Sequence, residues 1–137
     1  MKCRVEGLDE LEKKLSKLIG NTDNLVREAL FEGGEVLKSN TKAAVRKAAN
    51  RGYSTGSLES SIVCNEPTKN AYGYFVAVHP VGTDSKGVRE GEKWGYLLNG
   101  NGKGSEKRDF KTEAIEASEK KCAEIAQRIF DDYVDSL

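Results

Sequence analysis

The segment Gly100-Asn101-Gly102-Lys103-Gly104-Ser105 is where this chain comes nearest to a chemical motif: a glycine-rich loop with a lysine could cradle a phosphate. The spacing fails. Such a loop needs a glycine five residues before Gly102, where Leu97 stands, and a serine or threonine after the lysine, where Gly104 stands. The segment therefore reads as a flexible loop. The single histidine, His79, ends an alternating run with no motif around it, and reads as an edge or surface residue. Cys3, Cys64 and Cys122 with one histidine lack the ligand spacing of structural zinc. Asp131, Asp132 and Asp135 read as a solvated helix end, since no turn beside them supplies the further oxygens a hard cation needs. A hydrolase or transferase requires a nucleophile, a base and an oxyanion donor, and no such set is evident. The expectation is a protein that is not an enzyme and uses no cofactor and no metal.

Lys42, Arg46, Lys47 and Arg51 place four cations within about two and a half helical turns. One reading is a solvated face that favours the negative end of a helix. The other is contact with DNA phosphates, which a ring of copies could make around one duplex. Formal charge is zero, 22 basic against 22 acidic residues, so a uniform polyanion-binding surface is not expected. The same neutrality leaves little long-range repulsion between copies.

The elements that must hold these residues follow from periodicity. Leu8, Leu11, Leu15 and Leu18 are spaced 3, 4 and 3, one stripe of a three-turn helix stopped near Gly20. A helix so short must dock on something. Thr22 or Asp23 can cap a second helix, whose stripe runs through Leu25, Val26, Ala29, Leu30, Gly33, Val36, Leu37, Ala44 and Ala48 to about Ala49. Gly33-Gly34 in its interior implies a close approach of another element, a kink, or a break into two helices. Leu58, Ser60, Ile62 and Cys64 alternate with polar neighbours as in a half-buried strand, Glu66 to Asn70 reads as a turn, and Tyr72 to Val78 as a second strand ended by Pro80. The short gap favours an antiparallel hairpin. Trp94-Gly95-Tyr96-Leu97-Leu98 is an apolar island, strand or helical turn, between polar loops at about 81–93 and 99–108. Asp109 can cap a last helix with Ile115, Ser118, Cys122, Ile125, Ile129 and Tyr133 as its stripe, reinforced by Ala126 and Phe130.

The fold class is thus α+β: a small antiparallel sheet, the hairpin plus one or two further short strands, packed against a long helix in the N-terminal half and a C-terminal helix. At 137 residues the chain fits a single domain spanning 1–137. Three scattered cysteines suit reduced thiols, the opening residues lack a signal-peptide pattern, and no apolar run nears the roughly 20 residues of a membrane span. These features lead to the expectation of a soluble protein made in the cytoplasm.

Read in order, the parts resemble the HK97-type family of phage tail components, also described as tail-completion or head–tail joining proteins. Val5-Glu6-Gly7-Leu8-Asp9-Glu10-Leu11 is similar to the family's opening phrase. Thr55-Gly56-x-Leu58-x-x-Ser61-Ile62 is similar to its central motif, and Tyr72 to Val78 to the strand that follows. Tyr96 to Asn101 stands in place of a Tyr-x-x-x-Glu-x-Gly-Thr-like element, and Phe110 with Ala114 where a Pro-Phe-Leu-x-x-Ala phrase opens the last helix. Asn99, Asn101 and Asp109 depart from the common Glu, Thr and Pro. The resemblance implies a structural subunit of the connector between portal and tail, forming a ring and carrying no catalytic residues. Its partners would be copies of itself and neighbouring connector or tail proteins, and its location the host cytoplasm during assembly, then the virion. Two polar loops suit ordering on contact with neighbours. Trp94, Tyr96 and Leu98 between them either complete the core or anchor a neighbouring subunit.

Overall fold

The computed structural model describes residues 8–48, 56–99 and 110–137. Helix α1 (Leu8–Gly20) is followed after Asn21 by the long α2 (Thr22–Ala48). A single-turn helix α3 (Ser57–Ser61) then leads into β1 (Ile62–Cys64), β2 (Thr68–Asn70), β3 (Gly73–Phe75) and β4 (Val78–Pro80). Helices α4 (Glu90–Asn99) and α5 (Phe110–Ser136) complete the order. The α+β class read from the sequence holds. Asp109, assigned there as the α5 cap, lies outside the described residues, as does most of the 99–108 loop.

The frame is an antiparallel pair of long helices. Cys122 Sγ lies 3.5 Å from the carbonyl oxygen of Gly33, Asn40 Nδ2 donates to Ser118 Oγ at 2.9 Å, and Lys47 pairs with Glu113 at 3.1 Å. As position rises along α2, its partner's number falls along α5. Ser118, Ile125 and Ile129 are buried as the α5 stripe requires, but at its start Ala114 faces inward and Ile115 outward. Phe110 and Ala114 join Ala44, Val45, Leu58 and Ile62 in one buried cluster, where the end of α2 meets α3, β1 and the start of α5.

Helix α2 runs unbroken through Gly33-Gly34, and close approach is the reason. A Cβ on Gly34 would stand 2.7 Å from Cys64 Sγ and 3.4 Å from Val76 Cγ2, whereas one on Gly33 would meet Cys122 Sγ at an ordinary 3.5 Å. The two glycines therefore respond oppositely to alanine. Gly33→Ala should raise stability by up to ~1 kcal/mol through helix propensity. Gly34→Ala should lower it by about 1 kcal/mol, because overpacking against β1 exceeds that gain. Adding Cys64→Ala to Gly34→Ala should restore the loss. Thermal melts of the three variants check this, and equal effects at both glycines would refute it.

Residues 58–61, expected as strand, form α3 instead. Gly56 adopts the left-handed region with φ 79° and its carbonyl accepts the Ser60 N–H. Ser61 Oγ donates to the Leu58 carbonyl. The two-residue alternation was ambiguous, since Leu58 and Ile62 are also four apart, the spacing of one helical face. Both are buried, and β1 begins only at Ile62.

The expected hairpin is present but divided. β1 pairs antiparallel with β4, with Ile62 opposite Pro80 and Cys64 opposite Val78. Inside it β2 pairs antiparallel with β3, with Thr68 opposite Phe75 and Asn70 opposite Gly73. The turn read at Glu66–Asn70 is therefore partly strand, and the strand read at Tyr72–Val78 is interrupted at Val76 and Ala77. Pro67, lacking an N–H, sits where the outer ladder stops. Asn65 spans the break, its main-chain N–H bonding the Ala77 carbonyl at 3.2 Å and its side-chain oxygen accepting the Ala77 N–H.

Candidate functional site

The apolar island is helical. Within α4, Trp94, Leu97 and Leu98 are half-buried against the core cluster, and Trp94 meets Phe110 edge-to-face with ring centroids 4.6 Å apart. Trp94 and Leu98, two of the three interface candidates, thus lend one side to the core. The Tyr96 side chain lies outside the described residues.

Residues Val81–Arg89 form a hydrogen-bonded turn in front of α4, with an isolated antiparallel bridge between Thr83 and Arg89. Asp84 organises it. Its Oδ1 accepts the N–H groups of Lys86 at 2.8 Å and Val88 at 2.9 Å, while its Oδ2 pairs with Lys93 Nζ at 2.6 Å. Gly87 closes the turn in the left-handed region, φ 80°.

Lys93 is the hub of a polar cluster that ties this turn to α3. Its Nζ lies 2.9 Å from Ser57 Oγ and 3.4 Å from Glu90 Oε1, and Ser57 Oγ donates to that same oxygen at 2.7 Å. Glu90 is only 2% exposed, and its Oε2 has no hydrogen-bond partner among the described residues. Burial pulls the Lys93 pKa down, and the carboxylates of Asp84 and Glu90 more than offset it, leaving it raised. The Lys93 ammonium, then the Val88 N–H, hold Asp84 at about 2, well below its ordinary value. A serine beside a lysine can perform acyl transfer only if the lysine is neutral and takes the hydroxyl proton. Here the lysine is held charged and the hydroxyl donates to a carboxylate, so the cluster is a structural clamp. Sequence reading missed it. The legible signals were Ser57 inside the Thr55–Ile62 motif, the Asp84-Ser85-Lys86-Gly87 turn pattern, and the three-residue spacing of Glu90 and Lys93.

Two of the candidate DNA-contacting cations are engaged with acids. Arg46 Nε donates to both carboxylate oxygens of Glu59, at 3.0 and 3.1 Å, and Lys47 pairs with Glu113 at 3.1 Å. The hydrogen bond from Arg46 lowers the Glu59 pKa, with Lys42 a minor contributor. Arg51 lies outside the described residues. His79 is exposed on β4. No group of three or more metal-ligating side chains occurs among the described residues, and no described helix is long and apolar enough to cross a membrane.

What the surface does carry is uncovered aromatic and aliphatic side chains. Tyr72 at the tip of the inner hairpin is 98% exposed, and Phe75 at the far end of β3 and Phe31 on α2 are also exposed. Between α2 and the hairpin lies an open groove of about 650 Å³, lined by Phe31, Pro67, Tyr74, Arg27, Lys69 and two glutamates. Arg27 donates to the Tyr74 hydroxyl at 3.0 Å, and Arg27 and Lys69 both lie over its ring, 5.1 and 5.4 Å from the centroid. Aromatic residues and arginine are enriched where proteins bind one another.

A family model described as "Bacteriophage HK97-gp10, putative tail-component" matches residues 9–91, from α1 to the start of α4. The matched span takes in the hairpin, the groove and the Asp84 turn. No curated protein and no solved structure matches the chain.

Proposed function

The chain belongs to the HK97-gp10-like family of phage tail components, and from that membership we propose that it is a subunit of the head–tail connector or tail-completion assembly. It acts by protein–protein contact and joins copies of itself in a ring. The observation that supports this reading is the family match combined with the exposed aromatic side chains Phe31, Tyr72 and Phe75, on a frame clamped from within. Helix α4, which carries Trp94, Tyr96 and Leu98, contributes to the contact surface through what the core leaves uncovered. The Asp84 turn, with Val81 and Val88 exposed, continues it. Assembly takes place in the host cytoplasm and the finished subunit resides in the virion.

Cryo-EM of purified particles tests the proposal. Density matching this chain at the head–tail junction, repeated around the tail axis, is the expected result. A chain absent from virions and recovered only from infected-cell cytosol would overturn it. On the protein, Tyr72→Ala with Phe75→Ala should lower incorporation into particles by at least about tenfold while leaving the melting temperature unchanged, because neither side chain is in the core.

A further inference from the structure

The inner hairpin is set apart from the ladder that carries it. Asn65 bonds to Ala77 and Thr68 pairs with Phe75, so Glu66 and Pro67 on one strand face Val76 alone on the other. That one extra residue is a β-bulge, where the ladder breaks and the strand bends. Pro67 deepens the break because it has no N–H to donate. Below the bulge the chain is pinned, with Cys64 and Val76 packed on α2 so closely that Gly34 has no room for a Cβ.

Beyond the bulge little holds the hairpin to the fold. All three β2 residues are exposed, as is Phe75, and residues 67–75 supply nothing to the buried core. Its internal ties are the β2–β3 ladder and, at the tip, the Tyr72 N–H donating to Asn70 Oδ1 at 2.8 Å. A long contact from Asn65 Nδ2 to Thr68 Oγ1, 3.5 Å, crosses the bulge close to the pivot. Toward α2 the described hydrogen bonds reduce to one, from Arg27 Nη2 to the Tyr74 hydroxyl at 3.0 Å. The same guanidinium lies 5.1 Å from the centroid of the Tyr74 ring. Around this contact the space between helix and hairpin is the open groove, not packed side chains.

We propose that residues 67–75 form a hinged arm, pivoting as a unit at the Glu66-Pro67 and Val76 bulge and latched to α2 by Arg27 on Tyr74. Hinges of this kind are a few positions that absorb the backbone change while the parts on either side stay rigid. From Pro67 to Tyr72 the arm spans about 16 Å, so a rotation of about 30° moves its tip by roughly 8 Å. Release shifts Tyr72 and Phe75 and widens the groove beside Phe31, while the α2–α5 frame stays in place. Lys69 Nζ lies 5.4 Å from the same ring centroid, nearly as close as Arg27, but Lys69 is on β2 and travels with the arm. Only one of the two cations can therefore act as the latch. The arm is a property of the isolated chain, and it stands or falls separately from the connector role.

Pulsed dipolar EPR on the full chain tests it, with spin labels at Tyr72→Cys on the tip and Glu124→Cys on the exposed side of α5. Cys3→Ser, Cys64→Ala and Cys122→Ala clear the native thiols. The expected result is a main latched distance in the parent and a second, displaced distance that grows in Arg27→Ala. The ratio of displaced to latched arm should rise about tenfold, the worth of one charged hydrogen bond with a stacked cation. Lys69→Ala should leave the distribution as in the parent. The melting temperature of Arg27→Ala should match the parent, since the arm supplies nothing to the buried core. The same single distance in parent and Arg27→Ala, equal effects of Arg27→Ala and Lys69→Ala, or a melting temperature that falls with Arg27→Ala would each overturn the proposal.

Discussion

Lys93→Met is expected to lower folding stability by about 2 to 3 kcal/mol, far more than the loss of a surface ion pair. The reason is what it leaves behind. Glu90 is buried, its Oε2 already lacks a partner among the described residues, and Lys93 is the one cation shown on its Oε1. Removing the ammonium strands that carboxylate and releases Asp84, which holds the turn before α4. Urea unfolding of the variant measures the loss. Glu90→Gln combined with Lys93→Met should recover most of it, because replacing both members of a buried pair is far less disruptive than removing one. A double variant as unstable as the single one would show that the cluster is not a clamp.

The same cluster sets an acid limit. In the fold Asp84 is lowered from 3.8 to about 2 by Lys93 and the Val88 N–H. As pH falls through 4, the unfolded chain binds a proton that the folded chain still refuses, so stability falls between about pH 4 and pH 2. Above that window the contribution is fully present. Asp84→Asn should flatten this part of the stability profile, measured by urea titration at each pH. An unchanged slope would place the acid sensitivity elsewhere.

Phe110→Ala carries the other large effect, a loss of about 3 to 5 kcal/mol, the range for deleting a fully buried aromatic side chain. Phe110 is 1% exposed, and its ring packs against Trp94 from a different helix. The cavity would therefore open between α4 and α5 and loosen both from the end of α2. Trp94 is the only tryptophan, so its emission reports the change directly. A red shift with the loss of stability is expected. Phe110→Leu should retain most of both, since it keeps an apolar side chain in the same place. An alanine variant as stable as the parent would remove Phe110 from the centre of the fold.

These clamped parts bear on how the subunit meets its neighbours. Where the sequence suggests a loop at 81–93, the residues before α4 form an Asp84-centred turn, and α4 is pinned by Phe110 and by Lys93. The exposed side chains of this turn, Val81 and Val88, are thereby held on a framework rather than on free chain, so less ordering entropy would oppose their burial against a neighbour. The polar stretch following α4 lies outside the described residues. Arg46 and Lys47, read from spacing as a candidate DNA patch, are held by Glu59 and Glu113, acids that sequence distance had concealed.

The long helices and the antiparallel hairpin were legible in residue order, because a period of 3.6 sustained over 27 residues, or an apolar alternation beside a proline, is a local property. Short segments were not. Leu58 and Ile62 satisfy strand and helix spacing equally, and Trp94 to Leu98 is too brief to show either period, so the neighbours that bury them made the choice. The Ser57, Asp84, Glu90 and Lys93 clamp assembles residues as much as 36 positions apart, and no pattern along the chain announces a meeting in space. Helix α1 shows the opposite limit. Its amphipathic stripe was plain from the spacing, but whether an apolar face is covered depends on what packs over it, and the fold leaves Leu11, Leu15 and Ile19 facing water.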